Sequence, residues 1–107
     1  MSEVTVLLVA DDCLGFYFGF AAGEEKSIEN AKTLYDLGQY RPLKTLRVEL
    51  AGEDAAEEMF DLSNNPSRDD ERAELYGRGR SVSTGDIVVV DEDMYLCMSC
   101  GWKKLDW

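Results

Sequence analysis

Cys97 and Cys100 stand three positions apart in "LCMSCGW", a spacing that can hold a metal ion or run thiol–disulfide exchange. Either use needs more than the pair. A structural zinc site takes four ligands, and the chain has no histidine and one further cysteine, Cys13. A redox pair needs a helix N-terminus to favour the thiolate, and "SCGWKK" follows a strand-forming run with no helix behind it. Within that strand Tyr95, Cys97 and Ser99 fall on one face and Leu96, Met98 and Cys100 on the other, so the two thiols diverge. Both cysteines therefore read as small apolar side chains, with a CxxC metal or redox protein as the less favoured alternative.

The remaining catalytic candidates are thinner. Without histidine the commonest general base near neutral pH is missing, and no Ser–His or Cys–His pair can be assembled. "GFYFGFAAG" has glycines but no Lys-Ser/Thr ending to make a phosphate loop. Asp11 and Asp12, after the first strand, could exchange protons but read as solvated turn residues. Arg78, Arg80, Lys103 and Lys104 flank Tyr95 and Trp102 as a stacking platform for bases would require. A net charge of −11 works against phosphate contact. The expectation is a protein that is not an enzyme, has no cofactor or metal, and makes no direct contact with nucleic acid.

The charge itself is the strongest signal. Residues 49–75 hold ten acids against Arg68 and Arg72, which is −8 of the −11; a solubility adaptation would spread acids over the whole surface. On a helical wheel of 53–62, Ala55, Ala56, Met59, Phe60 and Leu62 take one side and Glu53, Asp54, Glu57, Glu58 and Asp61 the other. Carboxylates four residues apart on a helix are separated by about 6 Å along the axis, a spacing close to that of successive phosphates on one strand of a duplex. Asp69, Asp70, Glu71 and Glu74 extend the track. Like charges at this spacing repel, and no lysine four residues on relieves them. The bland alternative is a solvated face that keeps the protein soluble.

The elements that must position these residues follow from pattern and punctuation. "EVTVLLVA", residues 3–10, reads as a buried strand, and "FYFGFAA", 16–22, as its return. Ser27 stands where an N-cap would open a helix over 28–37, closed by Gly38. "LKTLRVEL", 43–50, alternates as a strand with Leu46, Val48 and Leu50 inward. After the acidic helix and a turn at "SNNP", Ser67 stands at the N-cap of a second acidic helix ending near Tyr76 and Gly77. "SVSTGDIVVVDEDMYLCMS" closes as a hairpin turning at Asp91, Glu92 and Asp93. The 107 residues make one domain, 1–107, of α+β class: an antiparallel sheet of four or five strands with two or three helices packed on one face. No apolar run approaches the roughly 20 residues of a bilayer span, and no basic stretch precedes an apolar one at the N-terminus. A cytoplasmic protein is expected, as monomer or homodimer.

The stretch "EEMFDLSNNPSRDDERAELYGRGRSVSTGDIVVVDEDMYLCMSCGWKKL" resembles small proteins of bacteriophages and mobile elements and, more loosely, the YodL-like domain family. An amphipathic helix and an Asn/Pro turn lead to a Ser-Val-Ser-x-Gly-Asp-Ile-Val strand and a closing Gly-Trp. The residues carrying the likeness are Phe60, Asn65, Pro66, Gly79, Ser81, Val82, Ser83, Gly85, Asp86, Ile87, Val88, Cys97, Gly101 and Trp102. It covers about half the chain and implies an origin in mobile DNA and a neighbourhood of anti-defence genes. In this reading 77–105 is a scaffold hairpin, with Ser81, Ser83 and Asp86 bonding the turn before the strand. The charge pattern and the implied origin together suggest an inhibitor of a host nucleic-acid-binding defence protein, of anti-restriction or anti-CRISPR type. It would act in the host cytoplasm by presenting its acids to a basic groove. An accessory module with a different partner is the alternative.

Overall fold

A computed structural model describes residues 2–9, 24–77, 81–98 and 101–106. Its centre is an antiparallel sheet of six strands among the described residues: β1 (Ser2–Val9), β2 (Tyr40–Pro42), β3 (Leu46–Val48), β4 (Ile87–Val90), β5 (Asp93–Met98) and β6 (Gly101–Leu105). The order is β2-β1-β4-β5-β6, with β3 also on β1. Two helices, α1 (Glu24–Asp36) and α2 (Gly52–Asn64), and a composite helical segment over 66–76 complete the α+β fold.

β1 and β4 are apolar at both parities, and this decides where the helices go. Val4, Val6 and Leu8 share one core with Val88, Val90, Tyr95 and Cys97, under Ala55, Ala56, Met59 and Leu62 of α2. Val9, Ile87, Leu96 and Leu105 share the other, under Ala31 and Leu34 of α1. The helices therefore cover both faces and are not gathered on one, as the sequence reading expected. Strands that alternate apolar and polar leave a solvated face, whereas "TVLLV" and "IVVV" require two covers.

β2 and β3 are two pieces of one strand. Pairings with β1 run Leu7↔Pro42 to Val9↔Tyr40 and then Ser2↔Val48 to Val4↔Leu46, a register shifted by one. Leu43, Lys44 and Thr45 thus face only Thr5 and Val6, which makes a β-bulge. It is pinned by Leu43 N–H donating to the Val6 carbonyl at 2.8 Å and by the Thr5 and Thr45 hydroxyls at 2.7 Å. The strand expected over 43–50 accordingly starts earlier and stops at Val48, and Leu50, expected inward, is exposed.

Helix ends correct two expected caps. Ser27 is not an N-cap: α1 begins at Glu24, and Ser27 is buried inside it. The C-terminal expectation holds, because Gly38 has φ 72° and its N–H meets Tyr35 O while that of Gln39 meets Leu34 O, a Schellman closure. In the second acidic helix the cap is Asn65 and not Ser67: the Asn65 side chain accepts from Ser67 N–H, with Pro66 at the first position. A 3-10 turn (Pro66–Arg68), an α turn (Asp69–Glu71) and a π turn (Arg72–Tyr76) follow. The terminal hairpin turns at Asp91 and Glu92, with Val90 opposite Asp93 and Asp91 at φ 54°. Its continuation into β6 was not foreseen. The expected strand at 16–22, together with Asp11, Asp12, Cys13, Arg78, Arg80 and Cys100, lies outside the described residues.

Candidate functional site

The acidic helix α2 divides its carboxylates between two neighbours. Its apolar stripe sits on the sheet, and Phe60, half-buried, packs at the edge of that core. On one flank Glu57 accepts a hydrogen bond from the Trp102 indole N–H of β6 at 2.7 Å. On the other flank Glu58 and Asp61 turn toward Arg68. Glu53 and Asp54 occupy the first turn, where the helix dipole favours negative charge.

Arg68 is the organising residue. Its guanidinium donates to Glu58 Oε1 at 2.6 Å and Oε2 at 3.2 Å, to Asp61 Oδ2 at 2.8 Å, and to Glu71 through Nε at 3.2 Å and Nη2 at 2.9 Å. A fork-shaped cation can serve several carboxylates where an ammonium could not. These bonds raise the Arg68 pKa further above its ordinary range, and the Arg68 hydrogen bond is the main cause holding the Glu71 carboxyl below its usual value. The repulsion expected along α2 is thus partly relieved by a cation from the next helix. One charge serves three acids, so the cluster keeps a net −2.

Arg72 works differently. It donates to the carbonyls of Ser63 and Gly77 at 3.1 Å each and stacks on the Tyr76 ring at 4.9 Å, which fastens the π turn to the end of α2. Asp69, Asp70 and Glu74 stand exposed on this segment. The nine acids expected at a partner-binding surface therefore lie on two adjoining helical pieces. Glu58, Asp61 and Glu71 converge on Arg68, Glu57 sits apart against Trp102, and the other five are exposed to solvent.

Between β3 and these two helical pieces runs a groove of about 370 Å³. Met59 and Leu62 form its floor, Leu50 and Leu75 lie on its lips, and Glu49, Glu58 and Glu71 line it with Arg47 and Arg68. Sequence reasoning missed both the groove and the role of Arg68. A signal for Arg68 was present: it is one of only two bases among residues 49–75 and follows the turn that folds the second piece back.

Four motif residues of the resemblance, Ser81, Val82, Ser83 and Asp86, are bonded to α2, to β1 and to one another. Ser63 Oγ accepts from Val82 N–H at 3.0 Å, Ser81 Oγ donates to Ser63 O at 2.6 Å, and Asn64 Nδ2 donates to Val82 O at 2.9 Å. Asp86, fully buried, accepts Val9 N–H on Oδ1 at 2.9 Å and Ser83 N–H and hydroxyl on Oδ2 at 2.9 and 3.3 Å. Ser83 and Asp86 thus bond the turn as expected, while Ser81 reaches across to α2. Cys97 packs beside this turn and opposite Trp102. Burial first, then the charges of Asp86 and Glu57, push its thiol up to about 12, so it stays protonated and a poor nucleophile at neutral pH. Among the described residues no three Cys, Asp or Glu side chains are grouped to hold a metal ion, and no helix is long and apolar enough to cross a membrane. No family model, curated protein or solved structure matches this chain.

Proposed function

We propose that this is a non-enzymatic protein of phage or mobile-element origin that binds a host nucleic-acid-binding protein through its acidic helices and blocks the basic groove there. A restriction or CRISPR-type defence complex is the target class that fits an origin in mobile DNA. The observation carrying the reading is the joining of α2 to the composite segment at Arg68, which sets the carboxylates of both pieces in one folded unit. Arg68 fixes the positions of Glu58, Asp61 and Glu71 while leaving them a net negative charge. A preformed array needs less ordering on binding than free side chains do. Glu53, Asp54, Asp69, Asp70 and Glu74 supply the field that steers a basic partner in.

The test is competition with a nucleic acid. Candidate restriction and CRISPR-type proteins, loaded on labelled duplex DNA, are titrated with this protein and with its Glu53→Gln, Asp54→Asn, Asp69→Asn, Asp70→Asn variant. The expected result is displacement of the duplex by the parent protein, at least about tenfold weaker for the variant and strongly reduced by salt. Capture without displacement, or displacement indifferent to the four neutralisations, would overturn the reading in favour of an accessory module.

A further inference from the structure

We infer that the groove between β3 and the acidic helices is a docking site for a short partner segment in which an aliphatic side chain is flanked by lysine or arginine. The inference rests on the proposed binding function and names the chemistry of the contact that anchors it. Two observations meet in the groove. Its lips carry Leu50 and Leu75, 44% and 42% exposed, while the floor of Met59 and Leu62 is 1% exposed at each residue. Leu50 and Leu75, held half out of the core, supply apolar surface on which another aliphatic group can rest, with Met59 and Leu62 closed beneath them. The fold also holds Leu75 there: the π turn buries Tyr76 against the core, beneath Arg72, and leaves Leu75 outward.

Charge complementarity selects the occupant. Arg47 is paired with Glu3 at 3.5 Å and Arg68 with three carboxylates, so neither cation leaves the groove positive. Glu49 has no ion pair among the described residues and stands exposed at the end of β3. Of the Arg68 cluster, Glu58 and Glu71 line the opposite side with Arg68, two acids against one cation. A neutral apolar peptide would gain nothing from this rim, and an acidic one would be repelled. A segment with a cation on each side of a leucine meets Glu49 on one lip and Glu58 and Glu71 on the other. Nucleic acid has no group that fills such a groove, so the site adds to charge mimicry a contact that salt does not screen.

The test uses the intact protein and three fluorescent synthetic peptides, Lys-Lys-Leu-Lys-Lys, the same peptide with serine for leucine, and Glu-Glu-Leu-Glu-Glu. Anisotropy and amide shifts are followed at about 0.1 M and about 1 M salt. The leucine–lysine peptide should bind and shift the amides of Leu50, Met59 and Leu75, and the serine version should bind at least about tenfold more weakly. Leu75→Ser and Leu50→Ser, at exposed positions, should weaken binding by a similar factor with the melting temperature unchanged, and some leucine-dependent binding should survive high salt. At about 1 M salt, where the outlying acids are screened, the Glu53→Gln, Asp54→Asn, Asp69→Asn, Asp70→Asn variant should bind the peptide nearly as well as the parent. Equal binding of leucine and serine peptides, or indifference to both leucine substitutions, would overturn the groove and leave duplex competition untouched. Loss of duplex competition with peptide binding intact would overturn the mimicry and leave the groove standing.

Discussion

Asp86 and Arg68 are both charged residues that join distant parts of the chain, and they do so in opposite surroundings. Asp86 is a carboxylate at 0% exposure, and its donors include two backbone N–H groups and one hydroxyl. Arg68 lies near the surface among three carboxylates that water also reaches. A buried charge loses all hydration, so its donors must replace water completely and their removal is costly. A surface cluster exchanges water for partners at small net gain, and its excess charge projects outward. The first arrangement holds the sheet together. The second shapes a field.

This contrast can be broken by measurement. Asp86→Ala strips two buried N–H groups of their acceptor and should destabilise the fold by about 3–5 kcal/mol, read from urea unfolding. Asp86→Asn should recover part of that. A loss no larger than that of the Arg68 variant would erase the distinction. Arg68→Met should cost about 1–2 kcal/mol at low salt, and the cost should shrink as salt screens the three acids left behind, which water reaches in part. The same cluster predicts a pH dependence. Glu71 has its pKa lowered in the folded state, so its contribution is present above the unfolded carboxyl pKa and lost as pH falls through the folded value. Acid titration of stability should therefore be shallower in Arg68→Met than in the parent.

The smallest effect sharpens the Asp86 side. Cys97 has a folded pKa near 12 against an ordinary 9.0. A raised acid contributes stability below its unfolded pKa, and this is lost as pH climbs from about 9 toward the folded value. Alkylation of Cys97 at neutral pH should be slow enough to report global opening, and Asp86→Ala should speed it by removing both a nearby charge and the turn that covers the thiol. Rapid alkylation in the parent would show that the pocket around Cys97 is not closed.

Local signals were legible where one element decides the outcome. The apolar runs of β1 and β4, the stripe of α2, the Gly38 closure and the Asp91–Glu92 turn can each be read from a few neighbouring residues. Two-sided cover of the sheet was also written in "TVLLV" and "IVVV", but helix periodicity does not say which face a helix takes. The β-bulge was hidden because Leu43 to Thr45 alternate like ordinary strand residues, and only pairing against β1 exposes the extra one. Arg68 escaped for a related reason. Its partners lie at separations of three, seven and ten residues, and the last two depend on how the Pro66 turn folds the chain back. The acids of the candidate surface were legible as a composition, whereas the groove beside them is a product of packing.

The position of β1 has a kinetic consequence. The first strand of the chain lies inside the sheet, flanked by β2 and β3 on one side and by β4 on the other. Val4 must find Val90, and Val9 must find Asp86, so one flank of β1 stays unpaired until residues about 80 positions later have been made. The β4–β5 hairpin closes over a two-residue connection, and it and the adjacent β5–β6 pair can form within microseconds. Joining them to β1 requires closing a loop of about 80 residues, an entropic barrier that local order does little to lower. Folding is then limited by the arrival of a finished β4–β5–β6 meander at a waiting β1. During synthesis, "TVLLV" is an open, apolar edge that a chaperone or a second nascent chain can reach first.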